Sequence, residues 1–127
     1  MKPKDHKAFQ AWCLPYLTKL RKILLLHDFY PITFQHGVTN PDAHADCHFH
    51  YPYKTITIGY SDALMKDWKA KKYKAVVGCL THEMCHPITD PLYAKAASTW
   101  RTKGEVEDER ERLTDHIANI ILDNKLI

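Results

Sequence analysis

Two histidines four positions apart, with a glutamate beside the first, constrain this chain more than any other feature: His82-Glu83-Met84-Cys85-His86. Residues four apart share one face of a helix, so helical backbone here lets the Nε2 atoms of both rings converge on one ion. Glu83 then points beside that ion, toward a water, as a general base would. The preceding run KKYKAVVGCLTHEMCH is compatible, because apolar or small residues recur at Ala75, Val76, Cys79, Leu80 and Met84 in the pattern of a helix with a buried face. Pro87 removes a backbone donor and disfavours the α conformation at His86, which predicts a helix that stops or kinks just past the second histidine. The alternative is a helix whose surface carries two ordinary histidines.

A catalytic zinc takes three protein ligands and leaves its fourth position to water. The third is sought in EVEDERERLTDHIANIILDN, where Leu113, Ile117, Ile120 and Ile121 recur at helical spacing. Val106, Arg110, Leu113 and Ile117 mark one stripe, and Glu107, Glu111 and Asp115 lie along its neighbour. Glu111 is the candidate ligand, and Asp115, one turn on, is a candidate acceptor for the free ring N–H of a metal-bound histidine. Glu107, Asp108, Glu109 and Arg110 read better as a solvated face of paired charges.

At these residues the chain resembles a known family. His82-Glu83-x-x-His86 followed by Glu111-x-x-x-Asp115 is similar to the gluzincin metallopeptidases, in which a second, glutamate-bearing helix completes a zinc site. Thr114-Asp115-His116-Ile117-Ala118 is also similar to the stretch that follows the metal glutamate in small phage and repressor-cleaving metallopeptidases. The resemblance runs from Ile56 to Ile121, and its specific part is the two motif segments. It implies a minimal zincin of the phage-encoded kind, acting on a peptide or protein substrate in the host cytoplasm, with Zn2+ on His82, His86 and Glu111 and with Asp115 orienting His82. Two features depart from it: Pro87 directly after the second histidine, and the lack of an extended C-terminal subdomain, which in larger relatives carries specificity pockets and often a Tyr or His for the oxyanion. The chemistry expected is amide hydrolysis, in which the metal brings the pKa of a water down to about seven and Glu83 takes its proton and hands it to the leaving amine. Help for the oxyanion is expected from His116, Tyr93 or Tyr51, among which the sequence does not choose. In zincins an edge strand shortly before the metal helix pairs with an extended peptide, and Lys54 to Tyr60 occupies that place; the other reading is an internal strand.

The remaining segments predict an α+β fold: a small zincin-like domain over residues 1–127 with an N-terminal helix, a three-stranded, mostly antiparallel sheet, the active-site helix and the C-terminal glutamate helix. Ala8 to His27 carries Phe9, Trp12, Cys13, Tyr16, Leu17, Leu20, Ile23 and Leu24 at helical spacing, with Pro15 as a kink or break. Pro31–Val38, Asp46–Tyr51 and Lys54–Tyr60 read as strands, and Ser61 as the N-cap of a short helix bearing Leu64, Met65 and Trp68. Pro87 to Gly104, with Asp90-Pro91, reads as a linker. His44, Cys47, His48 and His50 invite a second metal site, but strand alternation sets Cys47 against the three histidines, so a polar strand face is the simpler account. Cys79 and Cys85 are read as small buried residues.

Charge and cysteine content bound the remaining classes. A net charge of +3, with lysines dispersed, argues against a nucleic-acid partner. The charged start MKPKDHKAF and the short apolar run Ile23–Leu26 provide neither an export signal nor a membrane span, and four cysteines without a CxxC pair fit a reducing cytoplasm. A different class of function, a zinc-stabilised binding or inhibitory module without turnover, suits so small a chain; against it stands Glu83, since a structural site has no use for a base and closes its fourth position with Cys or His.

Overall fold

Phe9, Cys13, Leu17 and Leu20 recur every three or four residues and form the buried stripe of the first helix, α1 (Pro3–Ile23). The fold is drawn from a computed structural model that describes residues 2–27, 32–50, 55–97 and 103–127. Along the chain α1 is followed by β1 (Ile32–His36), β2 (Ala45–His50), β3 (Thr55–Tyr60), α2 (Asp62–Lys69), α3 (Tyr73–Ala97) and α4 (Lys103–Asp123). The α+β character and the order of elements match the sequence expectation.

Pro15 does not break α1. The carbonyl it leaves unbonded belongs to Ala11, and both residues are exposed, so that carbonyl is open to solvent. Ser61 caps α2 as its residue type suggests, its Oγ accepting from the Leu64 N–H at 3.4 Å.

The sheet has the order β1-β3-β2. β1 pairs with β3 in parallel and β2 pairs with β3 antiparallel, so the sheet is mixed rather than mostly antiparallel. Register aligns Ile32, Phe34 and His36 with Ile56, Ile58 and Tyr60, and these with Phe49, Cys47 and Ala45. That face packs against the helices: Tyr60 lies edge-on to Phe9, 4.9 Å between ring centroids, and Ile56, Ile58 and Tyr60 are fully buried. The opposite face carries Thr33, Gln35, Asp46, His48, Thr55 and Thr57, the alternation of a sheet covered on one side.

Two expectations fail on this topology. Of the two readings of Lys54 to Tyr60, edge strand and internal strand, the edge reading fails, because β3 is central and has spent its backbone groups on both neighbours; Lys54 itself lies outside the described residues. The edge nearer to α3 is β2. The helix that was to stop or kink just past His86 does not stop there: α3 runs for 25 residues, Tyr73–Ala97, through Pro87 and Pro91. Each proline deprives one carbonyl, of Glu83 and of Pro87, and an interior proline costs about 3 kcal/mol. Tertiary burial offsets this, since Met84, Cys85, His86, Pro87 and Thr89 are all buried on a helix flanked by α4, α1 and β2. The expected linker is therefore helical from Pro87 to Ala97 and again from Lys103, and residues 98–102 lie outside the described residues.

Candidate metal centre

α3 and α4 pack along each other and bring the two sequence motifs into contact. Their crossing is fixed by a buried hydroxyl chain in which Thr89 Oγ1 meets Thr114 Oγ1 at 2.8 Å, and Thr114 Oγ1 donates to the Arg110 carbonyl at 2.8 Å. From this crossing α3 presents His82 and His86 on successive turns with Glu83 beside the first, and α4 presents Glu111.

His82 Nε2 lies 3.2 Å from His86 Nε2 and 3.3 Å from Glu111 Oε2, and His86 Nε2 lies 3.9 Å from Glu111 Oε1. The three residues offer one ligand atom each, all within 4.8 Å of one another. Donors placed about 2.0–2.1 Å from a tetrahedral zinc are separated by roughly 3.3 Å, so the spacing suits that ion.

The outer nitrogen of each ring is held by a carboxylate. His82 Nδ1 stands 2.7 Å from Asp115 Oδ1, and His86 Nδ1 stands 2.9 Å from Asp90 Oδ1. An ionised carboxylate only accepts, so both Nδ1 atoms carry hydrogen and donate, leaving an unprotonated lone pair on each neutral ring's Nε2. Two lone pairs and a carboxylate oxygen thus converge on one point, an arrangement that repels itself unless a cation or protons occupy it. The donor set, two imidazoles and one carboxylate with ring N–H groups tied to acids, fits a zinc ion.

Glu83 is nearly fully buried beside this point, its Oε2 3.9 Å from His86 Nε2. Burial pushes its carboxyl up to about 7; His86 opposes the rise, and the negative charges of Glu111, Asp46 and Asp90 add to it. Burial alone would push His86 down, but the hydrogen bond and charge of Asp90 hold it above its usual value.

Two residues the sequence reading did not assign to the site belong to its wall. Asp90, taken as part of a linker, bonds His86 from one helical turn on. Arg110, read with the solvated charges, turns inward: its Nη2 lies 3.3 Å from Glu111 Oε1, its buried Nε is 3.8 Å from Asp90 Oδ1, and its guanidinium sits 4.2 Å over the Tyr93 ring. Glu109, by contrast, pairs at the surface with Arg112 at 2.9 Å, as a charged face would.

Of the three oxyanion candidates, Tyr93 is drawn toward the site through Arg110, His116 is exposed on α4, and Tyr51 lies outside the described residues. Cys47 projects from β2 on the helix-facing side, while His48, on the other side, meets Thr39 Oγ1 at 3.0 Å. Cys47 and His48 thus part as alternation requires, and the described side chains of this segment form no metal group. Cys13, Cys79 and Cys85 are pushed up to about 12 by burial, which makes them packing residues rather than thiolate ligands.

Comparison with known proteins adds no identity: no family model, no curated protein and no solved structure matches this chain. The functional reading therefore stands on the geometry.

Proposed function

We propose that the chain is a zinc-dependent metallopeptidase of zincin type, hydrolysing peptide bonds at His82, His86 and Glu111 with Glu83 as general base. The observation that supports it is the facing pair of Nε2 atoms, 3.2 Å apart, with each ring's Nδ1 held against an acid. A zinc ion bound there supplies Lewis acidity toward a water and a substrate carbonyl. The chain's own groups do the rest. Asp115 and Asp90 keep the two rings in the ligating tautomer and orientation. Glu83, whose carboxyl is poised near neutrality, accepts the proton of the attacking water and returns it to the departing amine. Tyr93, with Arg110 beside it, is the group of choice to meet the developing oxyanion, since His116 is exposed.

Substrate is expected along β2, not β3, because among the described residues β2 is the strand whose outer edge is unpaired and which lies beside α3. An extended peptide added there gains main-chain hydrogen bonds with little sequence preference. Among the described residues no helix is long and apolar enough to cross a membrane, and Cys13, Cys47, Cys79 and Cys85 are unpaired. Action in a reducing cytoplasm accords with those free thiols.

The test is digestion of a mixed peptide library, read by mass spectrometry, by zinc-loaded wild type, Glu83→Gln and Glu111→Ala. Cleavage by wild type that falls about 10²- to 10⁴-fold in Glu83→Gln, with zinc retained, supports the reading. Equal cleavage by Glu83→Gln refutes it, and zinc binding without any cleavage moves the weight to the binding or inhibitory module.

A further inference from the structure

A second group of nitrogen and oxygen donors stands on separate elements from the first: His6 in α1, His36 at the end of β1 and Asp62 at the start of α2. Each offers one ligand atom, and these lie within 4.8 Å of one another. We propose that His6, His36 and Asp62 form a second metal site, for a divalent transition cation of the zinc class, which ties α1 to the sheet rim and to α2.

The three positions are held by backbone that is already fixed. His36 pairs in register with Tyr60, and the next residue, Gly37, donates its N–H to the Tyr60 carbonyl at 2.8 Å. Gly37 has φ +124°, a conformation that turns the chain sharply after His36 and favours glycine. Asp62 follows Ser61, which caps α2 and also bonds the His44 carbonyl through its N–H and its hydroxyl, both at 2.9 Å.

His6 is positioned by its own outer partner. The Tyr60 hydroxyl lies 2.9 Å from His6 Nδ1 and is held in turn by Gln10 Nε2, which donates to it at 3.1 Å. Tyr60 is fully buried and fixed in the core, so the His6 ring is anchored through one nitrogen and keeps the other for a cation, the arrangement that metal-binding histidines commonly show. The His6 and His36 rings stand 4.4 Å apart between centroids. His36 Nε2 already meets Asp62 Oδ1 at 2.9 Å, so without metal the group closes through a proton, which a cation would replace.

The donors also select the ion. Two imidazoles and one carboxylate suit Zn2+, Co2+, Ni2+ or Cu2+ over Ca2+ or Mg2+, and no thiolate is present to favour soft ions. His36 and Asp62 are exposed, which leaves their side chains room to bring the donors to about 3.3 Å. Three protein ligands leave further positions to water, and the positive N-terminal ends of α1 and α2 oppose a cation. The site is therefore exchangeable and weaker than one closed by four ligands.

This inference is independent of the peptidase reading, and the experiment keeps them apart. Zinc is titrated calorimetrically into the full chain carrying His82→Ala and His86→Ala, which removes the first site, with circular dichroism to establish that it is folded. One equivalent is expected, accompanied by a zinc-dependent rise in melting temperature. Adding Asp62→Asn or His36→Ala should weaken binding at least ~10-fold and abolish that rise, whereas adding His44→Ala, another exposed histidine beside a carboxylate, should change neither. Zinc affinity unchanged by both Asp62→Asn and His36→Ala, or a folded background that binds no zinc, overturns the proposal. If the background does not fold, stoichiometry in the otherwise wild-type chain decides: a fall from two equivalents to one in His36→Ala supports the site, and an unchanged value overturns it.

Discussion

Asp90 and Asp115 perform the same task for different histidines, and the structure predicts that they are unequal. Each accepts the Nδ1–H of one ring, at 2.9 Å and 2.7 Å, so distance alone would favour Asp115. Exposure reverses the order: the Asp115 side chain is 63% exposed and that of Asp90 19%. Water competes for the first carboxylate and screens its charge, while the second acts in a less polar setting, where a charge-assisted bond is stronger. Loss of such an outer partner weakens metal binding by about 10- to 100-fold. We expect Asp115→Asn near the lower end, about 1.4 kcal/mol, and Asp90→Asn near the upper, about 2.7 kcal/mol. The assay is competition for Zn2+ against a chromogenic chelator, in a His36→Ala background so that one site is read. Raising salt from 0.1 M to 1 M contracts the screening length from about 10 Å to about 3 Å, so the Asp115→Asn effect should shrink and the Asp90→Asn effect should persist. Equal effects of the two substitutions, or a larger one at Asp115, would refute the reasoning from burial.

In metal-free protein Glu83 titrates near 7 against an ordinary value of 4.5, so its contribution to stability is complete below about pH 4.5 and is lost as pH rises through 7. At about 1.4 kcal/mol per unit, Glu83→Gln should be more stable than wild type by up to roughly 3 kcal/mol at pH 8 and no different at pH 4, as chemical denaturation at the two values checks. Gly59→Ala would set a Cβ against the Gly37 carbonyl oxygen and 2.6 Å from Asp46 Oδ1, and should destabilise by about 1–3 kcal/mol, read from the denaturant midpoint. Lys71, just past α2, holds a left-handed φ of 62° while its N–H bonds the Trp68 carbonyl, so Lys71→Gly should raise stability by about 0.5–1 kcal/mol in the same assay.

Hydrophobic periodicity made the helix faces readable, because burial of Phe9, Cys13, Leu17 and Leu20 is what holds α1 in place. Alternation likewise placed β1, β2 and β3 within a residue or two, yet it carries no information on which strand lies between the others, and the parallel pairing of β1 with β3 is set by a long-range choice. Pro87 misled for a definable reason: its local penalty is real, but burial of the helix on both sides of it is larger. That single misjudgement hid Asp90, whose place one turn beyond His86 has meaning once the helix continues. Arg110 was illegible because its own neighbours in sequence are charged; Tyr93 and Asp90, from the other helix, turn it inward. Helix ends were equally obscure, since Leu25, Lys71 and Lys125 adopt the left-handed conformation that glycine usually signals.

Crystallography of zinc-soaked protein with anomalous data at the zinc edge tests the central claim most directly. The account predicts an ion about 2.0–2.2 Å from His82 Nε2, His86 Nε2 and a Glu111 oxygen, with its remaining position open to solvent beside Glu83. An ion closed off by a fourth protein ligand, or no ion at these residues, would contradict it.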